Sequence, residues 1–420
     1  MKLALISFGS RGDLEPLVAL ALELQSRGHQ PYIVANAEIE SLASAHNVIS
    51  RPLSFSVKQL LLEKNSLPLL ASNSATKSLK IVSSIILDNL YAAGKELMEQ
   101  TKDADVIVIN ERYYLLGQAL QEKYKKPLVQ ICFQPKGITS AYPYLYYSPW
   151  FFKFLPNAKT HAFVDRMLLK KFLPIVNILR TKEFKLPPTS LEAAYEKKQA
   201  TTLLQGFSPA LFTKPADWNN NLVVTGNWSI KQVETGFSSG LKLFLNSPVK
   251  KVYIGFGSMI YSGAQLLQHL SAIACKLNIQ FIWALNWSIH PELKQGLYNQ
   301  HIFILHECNH NELFPFVDAV VHHGGSGTIA AATRNAKPQA IAWFMLDQHF
   351  WARQISQLST GINLGSFHKL KEAELLRAIQ QLISAPAYTK QAKLLSEKII
   401  PENGPGAAVD EIEKLMAKSK

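Results

Sequence analysis

The stretch Ala319-Val320-Val321-His322-His323-Gly324-Gly325-Ser326-Gly327-Thr328-Ile329-Ala330-Ala331-Ala332 limits the possible folds of this chain most. A short apolar run reads as a buried strand, the glycines as a tight turn and the alanines as the start of a helix. Strand, turn and helix in succession build sheets whose helices cover the faces. Glycine lets backbone come close to a ligand, and the first amides of a helix have no partner inside it. The helix dipole adds about half a positive charge at that end, which suits an anion such as a phosphate. Ser326 and Thr328 add hydroxyl groups, and a histidine at the strand end can donate to a phosphate oxygen.

Neither of two familiar phosphate loops fits. The P-loop lysine is missing, and Gly9-Ser10-Arg11-Gly12 and Gly255-Phe256-Gly257-Ser258 lack the dinucleotide glycine spacing. Hydride transfer loses its main support. A tight turn with two satisfied histidines is the plainer alternative.

The same rhythm runs through the rest of the chain. Leu3 to Phe8 reads as a strand, Gly9 to Asp13 as a glycine loop, and Pro16 as the opening of a helix carried by Leu17, Leu20, Ala21 and Leu24. Gly28 ends it, and Pro31 to Ala35 is the next strand. Strand, helix, strand over so short a span implies a parallel sheet. The pattern returns at Asp105 to Ile109, Tyr113 to Tyr124 and Pro127 to Phe133, with residues 55–100 reading as mostly helical. It restarts with strands at Lys251 to Phe256, Phe281 to Leu285, Ile302 to Leu305, Ala319 to Val321 and Gln339 to Phe344. Helices are expected over Gln265 to Lys276, from Gly327 and over His349 to Leu358. Two runs end alike, Ile6-Ser7-Phe8-Gly9-Ser10 and Ile254-Gly255-Phe256-Gly257-Ser258. Ligands bind at such carboxyl ends of parallel strands.

At 420 residues the chain is too long for one ordinary core. An α/β protein of two domains is expected, 1–213 and 246–400, joined by a polar linker over 214–245 and closed by a helix over 401–420. Hydrophobic residues make up 47%, enough for full cores. Cys132, Cys275 and Cys308 are too far apart for a disulfide framework or a cysteine-rich zinc site, which points to a reducing compartment. His306, Cys308, His310, His322 and His323 match no standard ligand spacing, so no metal site is expected. The apolar run at Met1 to Phe8 is too short for a signal peptide, and no run is long enough to span a membrane, so a cytoplasmic protein is expected. A net charge of +13 suits nucleic acid, an anionic membrane, a phosphate-bearing ligand or a merely solvated surface.

Several ordered motifs then point to one family. His322-His323-Gly-Gly-Ser-Gly-Thr, Lys337-Pro338 and Asp347-Gln348-His349-Phe350-Trp351 resemble the donor signature of family 1 glycosyltransferases, in the branch that glucosylates sterols, macrolides and glycopeptides. Gly9-Ser10-Arg11-Gly12-Asp13-Leu14-Glu15-Pro16, Phe133-Gln134-Pro135 and Asn309-His310-Asn311-Glu312-Leu313-Phe314-Pro315 fit the same branch, and the resemblance covers residues 1–365.

The resemblance implies the GT-B fold, two facing Rossmann-like domains with parallel sheets and a cleft between them. The amino-terminal domain would hold the acceptor and the carboxyl-terminal one the nucleotide sugar, with UDP-glucose (or a dTDP-sugar) the expected donor. The final helix would cross back to the first domain. The donor set would be Ser10, Gly257, Ser258, Cys308, Asn309, His310, His322, Gly324, Gly325, Ser326, Gly327, Thr328, Asp347 and Gln348. Within it His322, Ser326, Gly327 and Thr328 would hold the diphosphate and Asp347 and Gln348 the sugar hydroxyls, while residues 307–310 would meet the base through their backbone. His323 stands where the plant relatives have no histidine. The plant base-platform tryptophan is missing, which leaves Trp283 and Trp287 as substitutes or as ordinary core aromatics.

Asp13 would be the general base, with helix capping as its alternative role. Single displacement would invert the anomeric centre, with no cofactor beyond the nucleotide sugar. Gln134, Tyr142, Tyr144, Trp150 and Phe151 would line the pocket of an apolar hydroxylated acceptor: a sterol, polyketide, flavonoid or other phenolic. The aromatic run 142–154, with Lys170 and Lys171 nearby, also fits a peripheral membrane contact or plain core packing. No nucleic-acid partner is expected. A nucleotide-sugar epimerase and a non-catalytic binding protein of the same fold remain alternatives.

Overall fold

The structure, a computed structural model, describes residues 1–63, 75–145, 150–230, 236–259, 261, 263–285 and 293–418, with the backbone alone at 61–63, 75–86, 150 and 418. It divides into two compact units.

The first unit holds a seven-stranded sheet in the order β3-β2-β1-β4-β5-β6-β7. Its strands are β1 (Lys2–Ile6), β2 (Gln30–Ala35), β3 (Ile49–Pro52), β4 (Val106–Asn110), β5 (Leu128–Cys132), β6 (Leu203–Gln205) and β7 (Leu222–Val224), all parallel. Every residue of β4 and β5 is buried, as continuous apolar runs must be when helices cover both faces of a parallel sheet. One core gathers around the Arg11–Ser26 helix with Leu17, Leu20 and Leu24, and the other around Tyr114–Tyr124 with Leu116 and Leu120.

The closing helix, Gly404–Lys418, belongs to this unit and buries Ala408, Val409 and Ile412 in the first of these cores. Arg27 ties the two helices together, donating from Nη1 to Asp410 Oδ1 at 2.5 Å and from Nη2 to the Gly406 carbonyl at 3.1 Å.

The second unit holds a sheet in the order β10-β11-β9-β8-β12-β13-β14. Its strands are β8 (Lys251–Gly255), β9 (Gln280–Ala284), β10 (Gly296–Asn299), β11 (Ile302–Leu305), β12 (Ala319–His322), β13 (Gln339–Trp343) and β14 (Gly361–Ser366). Only the edge strand β10 is antiparallel. In each sheet the strand order reverses direction beside the first strand, between β1 and β4 and between β8 and β12. Such a switch point opens a crevice at the carboxyl ends of the strands.

Two expectations are corrected. The first helix starts at Arg11, with Ser10 as its cap, so Pro16 lies inside it. The polar stretch 214–245 is not all linker. Leu222–Val224 completes the first sheet, Trp228 and Ile230 pack into that unit's core, and Ser239–Leu245 is a helix of the second unit. The apolar triplet of β7 is short and flanked by asparagines, which hid it.

Candidate functional site

At the switch point of the second unit, two glycine turns converge on one histidine ring. Gly257 follows β8 with φ 57°, and a Cβ there would lie 2.8 Å from His323 Cε1. A Cβ on Gly325 would lie 2.6 Å from His323 Nε2. Gly324, at φ 92°, runs against Ile341 and the Gln348 carbonyl, where a side chain does not fit. The Ser326–Arg334 helix begins with Gly325 as its cap and no side chain satisfying its first amides. Those amides, with the Ser326 hydroxyl, are donors of the kind that bind anions.

The two histidines differ in a way their sequence does not show. His322 is fully buried, its Nε2 is 3.0 Å from Gln339 Oε1, and its Nδ1 accepts the Gly324 N–H at 3.1 Å. Both ring nitrogens serve the protein, so His322 shapes the turn instead of donating to a phosphate as expected. His323 is nine-tenths buried, and its Nδ1 has no partner among the described residues. Burial holds His323 neutral, its pKa lowered to about 4. Burial lowers His322 to about 3, with His323 and His310 adding to the shift.

Around this cradle the other donor candidates take varied roles. Ser258 is half-buried beside Gly257, and Gly327 is exposed with open space where a side chain would stand. Thr328 is buried. Gln348 is buried, and its Oε1 accepts the Phe344 and Met345 amides at 2.8 and 3.0 Å, which fixes the turn before its helix. Asp347 Oδ2 accepts from the Trp351 indole at 3.0 Å. Asn309 caps the short His310–Leu313 helix, His310 stacks on Phe314 at 4.8 Å, and Cys308 packs on the core. The side chains of 308–310 are thus used inside the protein. Trp283 is fully buried and donates to Tyr261 Oη at 3.0 Å, so it is a core residue and no base platform. Trp287 lies outside the described residues.

The switch point of the first unit is charged. Gly9, at φ 150°, leaves room for the Asp13 carboxylate, which a Cβ at Gly9 would strike. Asp13 Oδ2 accepts the Ser10 amide at 3.1 Å, and the Ser10 hydroxyl stands 3.5 Å away. Asp13 Oδ1 stands 3.7 Å from Arg112 Nη1. Burial raises the Asp13 pKa, opposed by the Arg112 guanidinium and the Ser10 donors. The carboxylate therefore caps its helix and is also tuned toward proton acceptance, so the two roles weighed for it are compatible. Asn36, fully buried after β2, pins the loop by accepting the Gly9 N–H at 2.8 Å and donating to the Gly9 carbonyl at 3.1 Å.

Beside it lies a buried quartet of charges. Glu111 meets Lys136 at 2.6 Å and Lys198 at 3.3 Å, and Lys198 meets Asp165 at 3.4 Å. Burial pushes the Glu111 pKa up, but the two lysines outweigh it and hold the group down at about 2. Pairing of this completeness is what buried charge requires.

Of the acceptor candidates, Gln134 is half-buried after β5. Tyr142 packs edge-on against His161 and Phe212 at 5.7 and 5.6 Å. Tyr144 and Phe152 form a small buried cluster with Val164, and Phe151 packs against it. Tyr144 is thus a core residue. Trp150 opens the Trp150–Phe154 turn, and its side chain lies outside the described part. Asn36, Arg112 and Gln339 were missed in the sequence. Asn36 and the Glu111–Arg112 pair each follow a buried strand directly, the one signal that could have flagged them.

Two doubly wound sheets, each with a glycine loop at its switch point, define a protein with two nucleotide-binding-type α/β units. Two family models match it, the glycosyltransferase family 28 N-terminal domain over residues 3–103 and the erythromycin biosynthesis protein CIII-like C-terminal domain over residues 305–415. The chain belongs to the family 1 glycosyltransferases of GT-B fold. A sterol 3-beta-glucosyltransferase of Kluyveromyces lactis is 26% identical over 98% of this chain and 34% of its own length. The chain thus spans about a third of the length of the curated relatives it matches. Among solved structures, the glycotransferase of kitacinnamycin superposes with a TM-score of 0.69 at 15% identity, covering 98% of each chain. The spinosyn rhamnosyltransferase SpnG, complexed with thymidine diphosphate, reaches 0.64 at 17% identity, covering 98% of this chain and 100% of its own.

Proposed function

We propose that the chain transfers a hexose from a nucleoside diphosphate sugar, UDP-glucose or a dTDP-sugar, to a hydroxyl of an apolar acceptor such as a sterol or polyketide. The observation that carries this reading is the cradle of the second unit. An uncapped helix start and two glycine turns meet around the buried, neutral ring of His323. Helix-start amides of this kind bind the diphosphate and spread the charge that grows on it as it leaves. In the first unit Asp13 takes the proton of the acceptor hydroxyl. The freed oxygen attacks the anomeric carbon, the bond to the diphosphate oxygen breaks on the opposite face, and the configuration inverts. The relatives named sterol 3-beta-glucosyltransferase favour a sterol-like acceptor, and the SpnG complex favours a pyrimidine diphosphate.

The test is incubation with UDP-glucose or dTDP-glucose and a panel of sterols, macrolactones and phenolics, read by mass spectrometry. The expected product is an acceptor heavier by one hexose, of inverted configuration. Sugar conversion without any acceptor would instead reveal an epimerase, and binding of UDP with no turnover would reveal a non-catalytic protein. Either result overturns the proposal.

A further inference from the structure

The Asn157–Leu179 helix presents an unusual outer face. Its inner face buries Thr160, His161, Val164, Asp165, Leu169, Val176 and Leu179. Its exposed positions are Lys159, Phe163, Met167, Lys170, Lys171, Pro174 and Ile178. None of them is acidic. A surface helix of a globular unit turns a polar, mixed-charge face to water, whereas this one alternates apolar side chains and lysines. Phe163 is 44% exposed, Met167 40% and Ile178 43%. They fall on one stripe, four, seven and four residues apart through Pro174. The turn just before the helix extends it, with Phe154 68% exposed and Lys153 Nζ 5.0 Å from its ring. The only acidic side chain of the helix, Asp165, is turned inward to Lys136 and Lys198. Arg166 is engaged by Glu192 at 3.3 Å.

We infer that this face docks the first unit on an anionic lipid surface. A helix lying in the plane of a membrane needs large apolar side chains to enter the headgroup boundary and cations to meet its phosphates. Phe154, Phe163, Met167 and Ile178 supply the first. Lys153, Lys159, Lys170 and Lys171 supply the second, because a lysine can lay its stem along apolar surface and keep its charge outward. A second copy of the chain fits this face badly, because it would set lysines against lysines. The net charge of +13 draws the whole chain toward an anionic interface. Among the described residues no helix is long and apolar enough to cross a membrane. The inference keeps only the end of the 142–154 run, Lys153 and Phe154, in the membrane contact and places the rest on the helix that follows. It does not depend on the proposed glycosyl transfer.

The experiment is co-sedimentation of the full chain with phosphatidylcholine vesicles, with and without phosphatidylglycerol, at low and high salt. Wild type should pellet with the phosphatidylglycerol vesicles and be released by salt. The Lys170→Glu/Lys171→Glu variant should lose on the order of tenfold or more of its partitioning. Phe163→Ser/Met167→Ser should lose a comparable amount, and both variants should keep the wild-type melting temperature because the replaced side chains face outward. The inference is overturned if wild type stays in the supernatant, or if both folded variants bind as well as wild type. It is equally overturned if sedimentation equilibrium shows a dimer that Phe163→Ser/Met167→Ser dissolves, which would give the face to a second copy.

Discussion

The two switch points of this molecule share a topology and differ in chemistry. Beside β1 and β4 the glycine turn holds a carboxylate, Asp13, with a guanidinium 3.7 Å away. Beside β8 and β12 the glycine turns hold two neutral imidazoles and a helix start without a side-chain cap. The first arrangement suits moving a proton, and the second suits receiving an anion that must not meet a negative charge. The sheet topology fixes where ligands bind, and the side chains beside the glycines fix what each place can do.

The sharpest way to break this contrast is Asp13→Asn. It should lower turnover by about 10²–10⁴ while donor affinity, measured by calorimetry, stays unchanged. A near-normal rate would remove the proton-moving role from the first unit. Gly257→Val tests the opposite half. A branched side chain at φ 57°, pressed on His323, introduces strain of about 1–3 kcal/mol. Donor affinity should fall roughly 5–150-fold by that energy, with the acidic limb of the rate profile unmoved. Unchanged affinity would show that the ring and the β8 turn do not form the cradle.

Arg112→Gln sharpens the first half. The guanidinium holds the Asp13 pKa down against burial, and a base works only when ionised. Its removal should move the acidic limb of kcat/KM to higher pH, and Arg112→Lys should restore part of the shift. An unmoved limb alongside an inactive Asp13→Asn would leave Asp13 the base and remove Arg112 from its tuning.

The smallest effect concerns stability. Unfolding frees His322 and His323 to protonate near their ordinary value of 6.5, whereas the folded protein holds them neutral down to about 3 and 4. Below pH 6.5 the unfolded chain therefore binds more protons, and stability falls with pH through that window. Chemical denaturation from pH 7 to pH 5 should show this slope, and His323→Gln should flatten part of it. An identical slope in the variant would place the linkage elsewhere.

Much of this was legible in the sequence because it is local. Apolar runs that end in a glycine turn reveal β1, β8 and β12 and the loops at their ends, and apolar runs alone reveal β2, β4, β5, β9, β11 and β13. β3, β6, β7, β10 and β14 escaped because their apolar runs are short and interrupted or flanked by polar residues and glycine, and Pro16 misled because Pro more often opens a helix than sits inside one. The site was legible only as a set of residues. Which histidine is spent on structure depends on Gln339, seventeen residues beyond His322. Asn36 and Arg112 meet their partners only once β2 and β4 have paired with β1. Side-chain direction at a turn is set by such distant partners, and no local pattern encodes it.

The central claim is that residues 322–328, with Gly257, cradle a diphosphate, and calorimetric titration of the folded chain with UDP and UDP-glucose at neutral pH and low salt tests it most directly. Saturable binding that weakens with salt and in Gly257→Val is the predicted result. An absence of binding heat for both ligands, with a cooperative melting transition confirming the fold, would contradict it.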